Sequence, residues 1–245
     1  MSIISASSFL SCRLVAAGSA VAAVAAPCSA AAGQVRLRYG FDQVSNPVRT
    51  VADDSGNGQA GTARGRVTSV VGRGGRGRAL HFPGKGADGL VETKAGKGLN
   101  PGRASFSYGA AVRVPTEALS ARSGSNVLQK GLAGTGQWKL QIDPVGGRAD
   151  GRPSCVLRTH GGKREVTARS SLSVADSHWH EVVCHRDGDQ LLILVDGVQR
   201  GQAAVPTGLD VDPGSAPVTL GAKGSGSDND QYRGDLDDVF FGLDG

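Results

Sequence analysis

The sequence predicts an all-β protein, a two-sheet antiparallel jelly-roll sandwich. Short apolar or alternating runs recur along the chain between Gly, Pro, Asp and Asn, the pattern of strands joined by tight turns. Between Trp179 and Phe241 such runs are separated by Asp187-Gly188 and Asp196-Gly197, and Asp-Gly is a strong hairpin signal. No run of ten or so residues holds a 3.6-residue apolar period, and Glu is scarce against Asp. Asp favours turns where Glu favours helices, so composition also argues against a helical fold.

Residues 1–32 read as an export leader. Arg13 precedes an Ala/Val-rich run, Leu14–Ala26, and small residues around Ala30 and Ala32 suit signal cleavage. The run is too short for a stable membrane span. Pro27 before Cys28 fits a lipoprotein signal poorly. The expectation is a secreted protein with no transmembrane anchor. Residues 33–245 then form one domain, because sandwiches of about 200–250 residues need not divide.

The strands follow in order. Val35, Leu37, Tyr39 and Phe41 alternate with Arg36 and Arg38 and mark the first. A loop carrying Asp53-Asp54-Ser55-Gly56-Asn57-Gly58 comes next, then short strands at Ala79–Phe82 and Gly89–Glu92. Ser105 to Val114 alternates, with Phe106, Tyr108, Ala110, Val112 and Val114 inward. Asn126–Lys130, Trp138–Ile142, Ser154–Thr159 and Val166–Arg169 lead to the strands of Trp179–Phe241. Cys155 and Cys184 fall in two of these strands and are the cysteines outside the leader. In an exported protein such a pair reads as a disulfide, with two buried thiols as the alternative.

An ordered series of motifs carries a resemblance. Tyr39-Gly40-Phe41-Asp42, Asp54-Ser55-Gly56-Asn57-Gly58, Gly77-Arg78-Ala79-Leu80-His81-Phe82, Ser105-Phe106-Ser107-Tyr108, Trp179-His180, Val195-Asp196-Gly197 and Leu236-Asp237-Asp238-Val239 occur in this order. The series resembles the laminin-G-like, concanavalin A-like lectin/glucanase jelly rolls over nearly all of residues 35–243. With the cysteine pair it is similar to exported actinobacterial members. The resemblance implies a carbohydrate- or surface-ligand-binding role and a structural calcium ion between the N-terminal region and the last strand.

Calcium needs six to eight oxygens, often from glycine-bearing turns. Asp54 and Asn57 offer such a turn, Asp237 and Asp238 lie on the closing strand, and Asp42 is a candidate by position. The alternative is that Asp54 and Asn57 make turn hydrogen bonds. For the ligand, the polar loop with Asp228, Asn229 and Asp230, followed by Tyr232, is the expected recognition edge, since most other aromatics fall on inward phases.

Other motifs read more simply. Gly72, Gly74 and Gly77 match a dinucleotide fingerprint literally, but a strand follows where a helix is required. Arg73, Arg76 and Arg78 in that loop suit a small anion. Nucleic acid is not expected, because no stacking aromatics or recognised module accompany the charge. Arg233-Gly234-Asp235 leads straight into the last strand and reads as a turn. The net charge of +5 suits acidic polymers or plain solubility. Glu92, Glu117, Glu165 and Glu181 lack the paired spacing that glycoside hydrolysis uses. His178 and His180 flank Trp179 without clustered ligands. The reading is a non-catalytic, exported binding domain. The alternatives are a structural or protein-interaction module and an extracellular glycan-cleaving enzyme that uses Asp. Oligomeric state is left open.

Overall fold

The computed structural model describes residues 33–84, 88–93, 96–116, 124–145, 148–226 and 229–244. The expected leader, residues 1–32, and Asp228 lie outside them. Among the described residues sixteen strands make two antiparallel sheets, the architecture expected from the sequence.

The first sheet contains β1 (Gln34–Tyr39), β4 (Thr68–Val71), β5 (Arg78–Pro83), β7 (Phe106–Arg113), β12 (Trp179–Asp187), β13 (Gln190–Val195), β14 (Val198–Ala204) and β16 (Arg233–Leu243). Its order is β14-β13-β12-β7-β16-β5-β4, with β1 also on β16. The second contains β2 (Thr50–Val51), β3 (Gly61–Gly65), β6 (Gly89–Thr93), β8 (Ser125–Leu132), β9 (Thr135–Val145), β10 (Arg148–His160), β11 (Glu165–Arg169) and β15 (Val218–Leu220). Its order is β11-β10-β9-β8-β15-β6-β3-β2.

The alternation read in β7 is what buries it. Phe106, Tyr108, Ala110 and Val112 enter the core with Leu236 and Phe241 of β16. Across the interior, Tyr108 and Phe241 meet Trp138 of the second sheet at centroid distances of 5.0 and 4.9 Å. Both polar tips are satisfied: Trp138 Nε1 donates to Leu99 O at 3.1 Å and the Tyr108 hydroxyl to Lys139 O at 3.1 Å. Truncating such an aromatic to Ala costs about 3–5 kcal/mol.

Cys155 of β10 and Cys184 of β12 are joined, with Cα atoms 5.6 Å apart, so the bridge ties one sheet to the other. β1 ends at Tyr39 rather than continuing to Phe41, whose φ is 56°. That turn still buries the Phe41 ring beside Tyr39. The Arg233-Gly234-Asp235 tripeptide is the start of β16, paired on β5, with Asp235 buried.

Candidate functional site: a polar groove on the second sheet

Register decides which side chains leave the core. In the second sheet Val91, Leu220, Leu128, Leu140, Cys155 and Ala168 are neighbours across six strands, and all are buried. One residue along each strand the side chains point the other way. There the row reads Thr50, Thr62, Glu92, Thr219, Gln129, Lys139, Val156, Thr167, spanning all eight strands. Only one of these eight is apolar. The outer face of this sheet is therefore a polar floor built into regular strands.

A groove of about 620 Å³ lies over the middle of that floor, lined by Glu92, Gln129, Thr135, His160, Thr219 and Lys223 together with the 212–217 segment. The 212–217 segment is held from below. Lys130 is fully buried, and its Nζ donates to Gly214 O and Ala216 O at 2.7 Å each. Asn100 Nδ2 donates to Asp212 Oδ1 at 2.8 Å and to Gly214 O at 3.0 Å. Burial pushes the Lys130 ammonium down to about 8, with nearby Asp212 acting against the shift.

Beyond Lys223 stand residues 221–226 and 229–231. Asp230 faces Lys139 at 3.6 Å and Lys223 at 3.4 Å. Gln231 Nε2 donates to Gly89 O and Gly221 O at 2.8 Å each, and its Oε1 accepts from Gly89 N at 3.0 Å. The side walls are thus set by backbone-directed hydrogen bonds rather than left to loop freedom.

The floor carries polar atoms that the protein itself does not satisfy. Thr219 is 4% exposed, and its Oγ1 has no hydrogen-bond partner. Asn126, on the same face opposite Gln141, is 0% exposed and neither atom of its amide is partnered. Leaving a buried donor or acceptor unpaired costs about 1–3 kcal/mol. Groups of this kind are retained where something else completes them.

The residues expected at a recognition edge take different places. Asp230 faces Lys139 and Lys223, the second of which lines the groove. Asn229 is 7% exposed, its amide donating to Gln231 Oε1 at 3.2 Å, so it braces the wall. Tyr232 corrects the expectation. It is 0% exposed, packs edge-on against Phe82 at 6.1 Å and donates its hydroxyl to Asp235 O at 3.2 Å. It belongs to the core because the residue that leads into β16 turns its ring inward onto Phe82. Thr219, Gln129 and Asn126 were missed because single polar residues inside short strands look like ordinary outward positions.

The expected calcium residues sit around the end of β1, each engaged within the protein. Asp54 Oδ2 accepts from Gly40 N at 2.8 Å. Asn57 Nδ2 donates to Val35 O at 3.1 Å and to Ser55 Oγ at 3.0 Å. Asp42 Oδ1 accepts from Arg78 N at 3.1 Å, and Asp238 faces Arg38 at 3.8 Å. Asp237 accepts from Arg73 N at 3.0 Å and Asp238 N at 2.8 Å. Burial raises the Asp237 carboxyl above its usual range, helped by Asp238 and Asp42 nearby. Among the described residues no group of three or more His, Cys, Asp or Glu side chains is placed to hold a metal ion. Asp237 fastens the Arg73–Arg78 loop to the last strand at one end, and Asp42 holds it at the other.

His180 is bracketed by two carboxylates, one four residues before it in the chain and one from the next strand turn. Asp196 lies 2.7 Å from Nδ1 and Asp176 3.1 Å from Nε2. On the outer face of the first sheet, Trp179 lies in register with Arg113, whose guanidinium is 5.1 Å from its ring centroid.

Two packed antiparallel sheets of eight strands, one presenting a walled polar face, define a jelly-roll β-sandwich domain. The chain belongs to the concanavalin A-like lectin/glucanases superfamily, whose family model matches residues 85–241. No curated protein sequence matches it. Among solved structures it is similar to domain 4 of a GH43 extracellular arabinanase from Geobacillus stearothermophilus, in complex with arabinotriose. The TM-score is 0.64 at 16% identity, over 86% of this chain and 93% of that one. It is similar to the binding domain of Paraclostridial Mosquitocidal Protein 1, with a TM-score of 0.64 at 14% identity. It is also similar to the binding domain of Botulinum Neurotoxin DC in complex with SialylT, with a TM-score of 0.62 at 14% identity. Both matches cover 85% of this chain, which spans 48% of each of those two chains. At such identities the likeness is one of fold.

Proposed function

We propose that this domain binds carbohydrate, without cleaving it, in the groove on the outer face of the second sheet. The observation that carries the reading is the buried Thr219 hydroxyl, unpartnered on the groove floor between Glu92 and Gln129. A sugar hydroxyl is both donor and acceptor, so it completes a threonine hydroxyl and amide side chains equally well. A concave site with a few convergent polar groups is also where small ligands are generally held. Two of the similar structures, the arabinanase domain and the neurotoxin binding domain, are complexes with arabinotriose and SialylT.

The groove offers little for hydrolysis. Among the described residues its two lining carboxylates are Glu92 and Asp212, and Asp212 is engaged with Asn100 Nδ2 and Gly214 N. Hydrolysis requires one carboxyl group to give a proton and another to act as base or nucleophile. Neither role suits a carboxylate tied to a loop amide. The reading includes export, with residues 1–32 as the leader; the N-terminal sequence of protein recovered from culture medium tests that part.

A glycan array followed by calorimetry on the best hit tests binding. Thr219→Val is isosteric and removes one hydroxyl, and Gln129→Ala removes the adjacent amide. Each is expected to weaken binding by roughly tenfold, about 1.4 kcal/mol. Full affinity in both variants, or reducing-sugar release by the parent protein, overturns the proposal.

A further inference from the structure

The chain as a whole is basic, with a net charge of +5, which points toward acidic glycans. The groove points elsewhere. Recognition of a carboxylate, sulfate or phosphate relies on cations whose hydrogen bonds are directed at the ligand. Four cations around this groove, Lys139, Lys223, Lys130 and Arg64, each face a partner within the protein. Lys139 and Lys223 face Asp230 at 3.6 and 3.4 Å. Lys130 points beneath the wall, at the carbonyls of Gly214 and Ala216. Arg64, on the neighbouring strand, faces Glu92 at 3.9 Å. The lining carries two carboxylates of the described residues, Glu92 on the floor row and Asp212 on the wall, against one lysine, Lys223, which faces Asp230, and the imidazole of His160.

We infer that the groove selects neutral glycans and excludes acidic ones, with Glu92 as the residue that enforces the exclusion. The inference rests on the carbohydrate-binding reading of the same groove. Its physical basis is a difference between two ligands. A neutral sugar presents hydroxyls that donate to Glu92 Oε and to the amide oxygens, and accept from Thr219 Oγ1. An acidic sugar of the same shape brings a negative charge beside Glu92 and Asp212. It must then either displace Asp230 from its two lysines or stay unpaired. Juxtaposing like charges is how an interface rejects a wrong partner. The comparison structures leave the choice open, since one is in complex with arabinotriose and another with SialylT.

The experiment is calorimetric titration of the protein with neutral oligosaccharides and with their uronic-acid, sialylated or sulfated counterparts. Conditions of pH 8 and about 0.3 M salt suppress the general pull of a basic surface on anions. The acidic member of each pair is expected to bind at least about tenfold more weakly, and Glu92→Gln is expected to narrow the gap to about threefold. Acidic glycans that bind as tightly as their neutral counterparts overturn the inference. So does a neutral preference that Glu92→Gln leaves unchanged. In either case the groove reading stands if Thr219→Val still weakens whichever glycan binds. Failure of both classes to bind overturns the groove reading and the inference together. Circular dichroism melts of each variant confirm that the fold is retained.

Discussion

Arg113 places Nε and Nη2 at 2.7 and 2.6 Å from one oxygen of Asp235, and its guanidinium lies 5.1 Å from the Trp179 ring centroid. His81 Nδ1 meets the other Asp235 oxygen at 2.7 Å. The four side chains are in register across β12, β7, β16 and β5, so the sheet itself sets their spacing.

Asp235→Asn keeps the shape and removes the charge. Hydrogen bonds to charged groups contribute about 1.5–3 kcal/mol each. Because Arg113 is 38% exposed, solvent screens part of this. A loss of about 1–2 kcal/mol is expected, read as a lower urea midpoint with the slope unchanged. The acid limb gives a second readout. Burial alone would raise the Asp235 carboxyl, but hydrogen bonds from His81 and Arg113 hold it below its ordinary value. A group lowered in the folded state stabilises fully above its unfolded pKa and loses that contribution as pH falls through the folded one. Asp235→Asn should therefore flatten the acid loss of stability. A variant as stable as the parent at pH 6, with the same acid limb, sinks the argument.

The strands that the sequence displays best are those with an apolar face to bury. Phe106, Tyr108, Ala110 and Val112 alternate because each second residue of β7 meets the core. β3, β4 and β14 escaped notice for the opposite reason. β14 has no fully buried position, and β3 (Gly-Thr-Ala-Arg-Gly) buries only Gly61. Edge strands like β14 and β4 are held by backbone pairing, which leaves no trace in side-chain periodicity. The disulfide was readable because a lone cysteine pair has one partner to choose. The groove was not, since its floor is an alignment of Glu92, Thr219 and Gln129 from three strands far apart in sequence. His180 shows the same limit: Asp196 reaches it only once the β12–β13 hairpin has formed.

That bracket makes His180 a source of pH dependence near neutrality. Burial lowers its tendency to protonate, but Asp196 and Asp176 outweigh this and raise its pKa from the ordinary 6.5. A histidine raised in the folded state stabilises fully below its unfolded pKa, and the contribution disappears as pH rises through the folded one. Stability should therefore decline from about pH 6.5 upward. The partners are half-exposed, so the effect is at most about 1 kcal/mol. Thermal melts of His180→Gln across this range should lack the decline; an identical profile contradicts the assignment.

Lys130 should show the reverse slope at higher pH. Its ammonium is lowered by burial from 10.5 to about 8, so between those values the unfolded chain binds a proton that the folded one has released. Stability then rises with pH in that interval. Lys130→Met should abolish the rise, seen as a smaller gain in urea midpoint between pH 8 and 9.5 than in the parent. It should also weaken glycan binding at pH 8, because the 212–217 wall loses its tether to Nζ. Unaltered affinity with unaltered pH slope would mean that Lys130 supports neither.

The Cys155–Cys184 bridge acts on the unfolded chain as well as on the sandwich. The two residues are 29 apart in sequence, so the bond closes a loop of about thirty residues in the denatured ensemble. Loop-closure entropy for that length corresponds to about 3–4 kcal/mol. Replacing both cysteines with Ala should lower the urea midpoint accordingly, plus a smaller loss from two vacated core positions. It should also raise the denaturant slope, because the unfolded chain, freed of its loop, exposes more surface. Glycan affinity measured well below the unfolding midpoint should persist. Cys155 lies in the inward row, while the Glu92, Thr219 and Gln129 positions project from the opposite face of the sheet. A lost midpoint with unchanged slope would place the stabilisation in the native contacts alone. Lost affinity in a fully folded variant would show that the groove depends on the inter-sheet staple.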